Sequence, residues 1–197
     1  MRDLIAAHIQ RSIEAKQKLL DQGLAAIEAA GKALAEVLAA GNKLMVCGNG
    51  GSAGDAQHIA TELIIRYKST NIRPALPAIS LATDSSALTA CGNDLGFDQL
   101  FARQIQGLGN EGDILLAITT SGSSANIIEA LKAAREQKML TILLTGRDGG
   151  KALAEHSSWI DFPILIPADE TARIQECHIM VGQILCAVVE KQLYGYD

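Results

Sequence analysis

A chain of 197 residues with 48% hydrophobic content is long enough to bury a full core, and it fits one domain better than two. Its formal net charge of -5, with no run of Lys and Arg, excludes the dense positive patch that a nucleic-acid backbone requires, so no nucleic-acid partner is expected. Charges interrupt the apolar residues of the N-terminus every few positions, which excludes a signal core or membrane span there and makes a cytoplasmic location without membrane contact the expectation.

Residues 2–40 are rich in Ala and Leu, carry charges at helical spacing and lack proline, which predicts two helices broken near Asp21, Gln22 and Gly23. They form a helical N-terminal extension (1–40) to a core over 41–197, within a single domain spanning 1–197. Residues 43–47 are a short apolar run ending at Gly48, which suits a buried parallel strand; a helix over 52–67 follows. The cycle then recurs: a strand at 77–81, helices at 84–91 and 96–108, a strand at 113–118, a helix at 123–137, a strand at 140–145, a short helix at 151–156 and a strand at 159–166. A long amphipathic helix over 170–193 closes the chain. Such alternation predicts an α/β fold, a three-layer parallel sheet flanked by helices of flavodoxin or Rossmann type. Cys47, Cys91, Cys177 and Cys186 show no C-x-x-C spacing and read as buried thiols.

Two loops stand where a strand gives way to a helix. In Cys47-Gly48-Asn49-Gly50-Gly51-Ser52 the glycines let the backbone approach an anion, and free N–H groups with the helix dipole favour a phosphate or sugar oxygen. The string lacks the third glycine of a dinucleotide fingerprint and the Lys-Ser/Thr of a P-loop, so a tight structural turn is an equal reading of it alone. Thr119-Thr120-Ser121-Gly122-Ser123-Ser124 places five hydroxyls at a helix start; capping needs one, and the surplus points to a neutral phosphate cradle. His58 and Glu62, at i and i+4 on the helix after the first loop, share a face. Taken alone they fit a surface pair better than a metal ligand beside a base.

Together, C-G-N-G-G-S upstream of the T-S-G-S-S loop, with Gly92-Asn93-Asp94, the Leu144–Gly150 segment L-T-G-R-D-G-G and the Ala172–Glu176 segment A-R-I-Q-E, resemble the sugar-isomerase (SIS) domain, and within it the phosphoheptose isomerases. That resemblance implies interconversion of sedoheptulose 7-phosphate and D-glycero-D-manno-heptose 7-phosphate by homotetramers that supply heptose for bacterial lipopolysaccharide and other surface polysaccharides. By the same resemblance Asn49, Gly50, Gly51, Ser52, Asn93 and Asp94 contact sugar, and Thr119, Thr120, Ser121 and Ser124 hold phosphate. Gln175 contacts substrate and metal, while His58, Glu62, Gln175 and the residue at position 183 bind zinc.

Aldose–ketose isomerisation needs a base to move a proton between adjacent carbons while the carbonyl oxygen is polarised. Glu62 matches the family's base. Position 183 matches a histidine that closes the metal site and acts as general acid, but this chain carries Gln183, whose carboxamide has no titratable proton and is a weaker zinc ligand than imidazole. His178 is about 140° away around the same helix and is not expected to substitute. Gln183 leaves open a catalytically disabled engineered variant, a natural enzyme with a modified site, and a homologue that binds phosphosugar or protein without turning it over. The rival class is the DnaA-initiator-associating SIS protein, in which the position of Glu62 is not acidic and that of Gln183 bears an amide.

Overall fold

In the computed structural model, which describes residues 1–196, the five strands β1 (Leu44–Gly48), β2 (Ala78–Ser80), β3 (Ile114–Thr119), β4 (Leu140–Gly146) and β5 (Phe162–Ile166) form one parallel sheet. Their order is β2-β1-β3-β4-β5. Strands β1 and β3 are buried throughout, as expected of central strands covered on both faces.

The alternation of side chains along each strand divides the core in two. Leu44 and Val46 of β1, with Leu116, Ile118 and Leu144, face helices α1 (Arg2–Gln22), α2 (Leu24–Ala39), α3 (Gly51–Ile64) and α8 (Thr171–Tyr194). Met45, Cys47, Leu115, Ala117 and Leu143 face the opposite layer, made by α4 (Ser85–Asp94), α5 (Ala102–Leu108), α6 (Ala125–Glu136) and α7 (Gly150–His156). The expected three layers are therefore present. Helix α8 is long and apolar enough to cross a bilayer by length and composition, yet it packs along α2, α3, β4 and β5 as a core helix.

Two glycines set the spacing of α8 against its neighbours. A Cβ at Gly31 of α2 would fall 2.7 Å from Val188 Cγ1, and one at Gly182 of α8 would fall 2.4 Å from Ile59 Cδ1 of α3. A second tie is a buried ion pair: Arg73 Nε donates to Glu190 Oε1 at 2.7 Å, and both side chains are almost completely enclosed. Arg73 also caps the end of α3, its Nη2 donating to the Glu62 carbonyl at 2.7 Å and its Nη1 to that of Leu63 at 2.8 Å. Asn71 Nδ2 adds a bond to Glu190 Oε2 at 2.6 Å. Burial alone would raise the Glu190 carboxyl, but the bonds from Asn71, Arg73 and the Tyr67 N–H outweigh it and hold the group below its usual value.

Several expected boundaries shift. The helix expected over 96–108 is split, with a 3-10 turn at Phe97–Gln99 after Gly96 (φ 91°) and α5 beginning at Ala102. Helix α4 runs past Cys91 to Asp94. The last strand begins at Phe162, because Ser157–Trp159 form a 3-10 turn in which Trp159 stacks on His156 at 4.2 Å. All four cysteines are free and buried.

Candidate active site

Strand β1 has β2 on one side and β3 on the other, so the chain winds away in opposite directions from the gap between β1 and β3. Parallel sheets open a crevice at the carboxyl ends of such a pair. Both candidate loops emerge there, the first from Gly48 and the second from Thr119.

Each loop leads into a helix long enough to carry a dipole, and neither helix is capped by a side chain. Gly50, with φ 56°, stands at the N-cap of α3, and a side chain there would meet no atom within 4 Å. Ser124 has the extended backbone of an N-cap (φ -70°, ψ 121°), but its hydroxyl makes no capping bond. Its closest hydroxyl neighbour is Thr119 Oγ1 at 3.5 Å. No side chain therefore takes up the first N–H groups of either helix, the kind of group that an anion cradle uses.

The second loop is held from behind by the loop after β4. A Cβ on Gly122 (φ 63°) would sit 1.9 Å from the Gly149 carbonyl oxygen, and one on Gly150 (φ 54°) would sit 2.2 Å from that of Ser121. Only glycine permits that approach. The contact is sealed by Ala152 N donating to Gly122 O at 2.8 Å and Lys151 N donating to Ser123 Oγ at 3.2 Å.

Between the loops lies a small cleft of about 70 Å³ lined by Asn49, Ser52, Ile118, Thr119, Thr120, Ser124 and Gln175. The structure thus gathers six of the predicted residues around one opening. Gly51 borders it too, since a Cβ there would meet Gln175 Nε2 at 2.9 Å. Ser121 is turned inward to its own loop, its Oγ accepting from Ser123 N at 3.2 Å. Asn93 and Asp94 do not line this cleft. Extension of α4 carries both to its exposed end, where Asn93 Nδ2 donates to Asp94 Oδ1 at 2.6 Å and Asp94 borders a separate groove with Arg103 and Gln104.

His58 and Glu62 lie farther along α3 and meet each other, His58 Nε2 to Glu62 Oε1 at 2.8 Å, with His58 49% and Glu62 16% exposed. They sit beside the seam with α8, where Ile59 packs on Gly182 next to Gln183. Burial first, and then the nearby Glu62 charge, push the Cys186 thiol of α8 up to about 12. Asp55, one turn before His58, has an enclosed Oδ2 without a hydrogen-bond partner; burial raises this carboxyl against a smaller pull from His58.

As metal donors, His58, Glu62, Gln175 and Gln183 offer one imidazole, one carboxylate and two carboxamides along the α3/α8 seam. No group of three His, Cys, Asp or Glu side chains placed to hold a metal occurs among the described residues. Of the four, His58 and Glu62 are the pair in contact, and as a donor set they would suit zinc weakly, because neutral amide oxygens replace the stronger nitrogen or sulfur ligands that zinc prefers.

His178 is fully buried, and neither ring nitrogen has a well-formed partner, the main chain of Thr145 offering a weak one. Burial holds its imidazole down to about 4, so it is neutral at pH 7 and takes no part in the cleft. One residue that sequence reasoning does not single out is Asn126, in the first turn of α6. It is 2% exposed and bonded to Asn49 by a reciprocal amide pair. A polar residue two positions after the hydroxyl loop is the available signal.

Comparisons with known proteins agree with this geometry. The SIS domain family matches residues 7–146. The phosphoheptose isomerase of Halorhodospira halophila is 51% identical over 191 residues, covering 97% of this chain and 95% of the relative. Among solved structures, a phosphoheptose isomerase from Francisella tularensis superposes with a TM-score of 0.90 at 40% identity, covering 96% of this chain and 97% of that one. The Neisseria gonorrhoeae phosphoheptose isomerase gives 0.88 at 43% identity, with 96% and 98% covered. With a matching domain, identity near one half and coverage of nearly the whole chain, this protein belongs to the phosphoheptose isomerase family of SIS-domain proteins.

Proposed function

We propose that the chain is an aldose–ketose isomerase that interconverts sedoheptulose 7-phosphate and D-glycero-D-manno-heptose 7-phosphate, in the cytoplasm, for heptose supply to bacterial lipopolysaccharide and related surface polysaccharide. The observation that carries this reading is the pair of uncapped loops at the β1/β3 crevice, one of which opens the helix bearing Glu62. The names of relatives that align along nearly all of the chain support it.

In this reading the phosphate rests on Thr119, Thr120 and Ser124 and on the N-terminus of α6, a neutral cradle whose attraction comes from N–H and O–H groups. Ser121 enters through the sequence resemblance alone. Asn49, Gly50, Gly51, Ser52 and Gln175 hold the open-chain sugar. Asn93 and Asp94 enter as sugar contacts through the sequence resemblance alone. Glu62 takes the proton from the carbon beside the carbonyl and returns it to the neighbouring carbon. Gln183 can hydrogen-bond a sugar oxygen but cannot transfer a proton to it, so turnover is slower than with a histidine there. A zinc ion held by His58, Glu62, Gln175 and Gln183 would, when bound, polarise the oxygens of the linear sugar.

A homotetramer is part of the same proposal. Leu4, Ile5, Ile9 and Ile13 form an apolar stripe on α1, each more than half exposed, that no element among the described residues covers. The second reading, a non-catalytic binding module of the DnaA-initiator-associating type, is favoured by the amide at Gln183, while Glu62 opposes it. Kinetics of the chain, of Gln183→His and of Glu62→Gln with sedoheptulose 7-phosphate and zinc separate the two. An isomerase is accelerated by the first substitution and silenced by the second; absence of turnover in all three supports the binding module.

A further inference from the structure

The two loops are tied together by one side-chain pair. Asn49 Nδ2 donates to Asn126 Oδ1 and Asn126 Nδ2 donates to Asn49 Oδ1, both at 2.8 Å. Asn126 is buried in the first turn of α6, directly behind the hydroxyl loop, whereas Asn49 is half-buried and lines the cleft. An amide engaged in this way has one N–H and one oxygen lone pair left. For Asn49 those remaining groups are the ones available to a ligand.

The reciprocity couples the orientation of one amide to that of the other. Turning the Asn49 amide over by itself would set N–H against N–H and oxygen against oxygen, so it cannot turn unless the enclosed Asn126 amide turns with it. Asn126 itself is enclosed and does not line the cleft. We infer that Asn126 is a positioning residue, which sets the orientation of the Asn49 amide and the distance between the sugar-binding loop and the phosphate cradle. The inference rests on the phosphosugar reading of the cleft and adds a specificity element to it: the Asn126–Asn49 pair governs recognition of the sugar, and the hydroxyl loop governs recognition of the phosphate.

Because the effect is carried through Asn49, it must vanish when Asn49 is absent. The test measures dissociation constants of sedoheptulose 7-phosphate and of inorganic phosphate by NMR titration for the unaltered chain, Asn126→Ala, Asn126→Ser, Asn49→Ala and the double alanine variant. Melting curves establish that each variant is folded. The expected result is sugar-phosphate affinity about tenfold weaker in either Asn126 variant, the loss of one to two hydrogen bonds' worth of orientation. Inorganic phosphate is held as before, and Asn49→Ala binds no better than the double variant.

Unchanged sugar-phosphate affinity in folded Asn126→Ala and Asn126→Ser overturns the inference, as does a parallel loss of inorganic phosphate or a multiplicative loss in the double variant. If both Asn126 variants fail to fold, the pair is a structural tie and the inference is likewise refuted. An unaltered chain that binds neither ligand refutes instead the phosphosugar reading beneath it.

Discussion

Lowering the pH should charge His178 only at the expense of the fold. The ring is enclosed without a well-formed hydrogen-bond partner, and its folded value of about 4 lies below the usual 6.5. A histidine depressed in this way stays neutral in the folded chain while the unfolded chain takes up a proton below 6.5, so stability falls as pH drops from there and levels off below 4. Each tenfold difference in proton affinity between the folded and unfolded chain is worth about 1.36 kcal/mol, so the whole interval amounts to roughly 3 kcal/mol, of which about 2 kcal/mol is lost by pH 5. Urea denaturation of the chain and of His178→Met at pH 7, 6 and 5 isolates this contribution, since other groups are common to both. The chain should lose about 2 kcal/mol more than the variant between pH 7 and 5. Equal pH slopes would refute the argument that the buried ring is held neutral.

Other substitutions test the elements that support the site. Gly122→Ala combines a left-handed backbone with a Cβ 1.9 Å from the Gly149 oxygen, so it should cost at least about 3 kcal/mol and abolish phosphate binding, read by melting and titration. Gly182→Ala gains about 1 kcal/mol of helix propensity but overpacks Ile59, for an expected net loss of about 1 kcal/mol in urea denaturation; a net gain would mean that α3 and α8 yield freely. Glu190→Gln leaves the Arg73 guanidinium buried without its counter-charge and should cost about 3 kcal/mol. The depressed Glu190 carboxyl contributes stability that is present above its usual 4.5 and is lost as pH falls through its lower folded value; Glu190→Gln should remove that acid-side slope in guanidinium titrations. Calorimetry should find zinc bound at least about tenfold more tightly by Gln183→His than by the unaltered chain, because imidazole replaces a neutral amide oxygen.

The fold is legible in the sequence because its signals are local. Residues such as 114–118 are continuously apolar between a charged start and a hydroxyl-rich end, and both loops announce themselves at strand ends. What stays hidden depends on partners far away in the chain. Asn126 meets Asn49 across 77 positions, and Glu190 meets Arg73 across 117, so neither pairing leaves a mark in the neighbouring sequence. The shifted boundaries have local causes that propensity undervalues. Gly96 at φ 91° breaks a region whose later residues are good helix formers, and the stacked His156 and Trp159 hold a turn where apolar residues suggest a strand. His58 and Glu62 are visible from their spacing, yet their relation to α8 arises only because Gly182 lets that helix approach Ile59.

The proposed isomerisation moves a proton between adjacent carbons of a seven-carbon sugar phosphate. Its most direct test is a proton NMR time course of sedoheptulose 7-phosphate with the unaltered chain and zinc in deuterium oxide. The expected result is slow appearance of heptose 7-phosphate carrying solvent deuterium at carbon 2, with no label incorporated by Glu62→Gln. Binding without isomerisation or label exchange, in a chain whose Gln183→His form is equally inert, would contradict it.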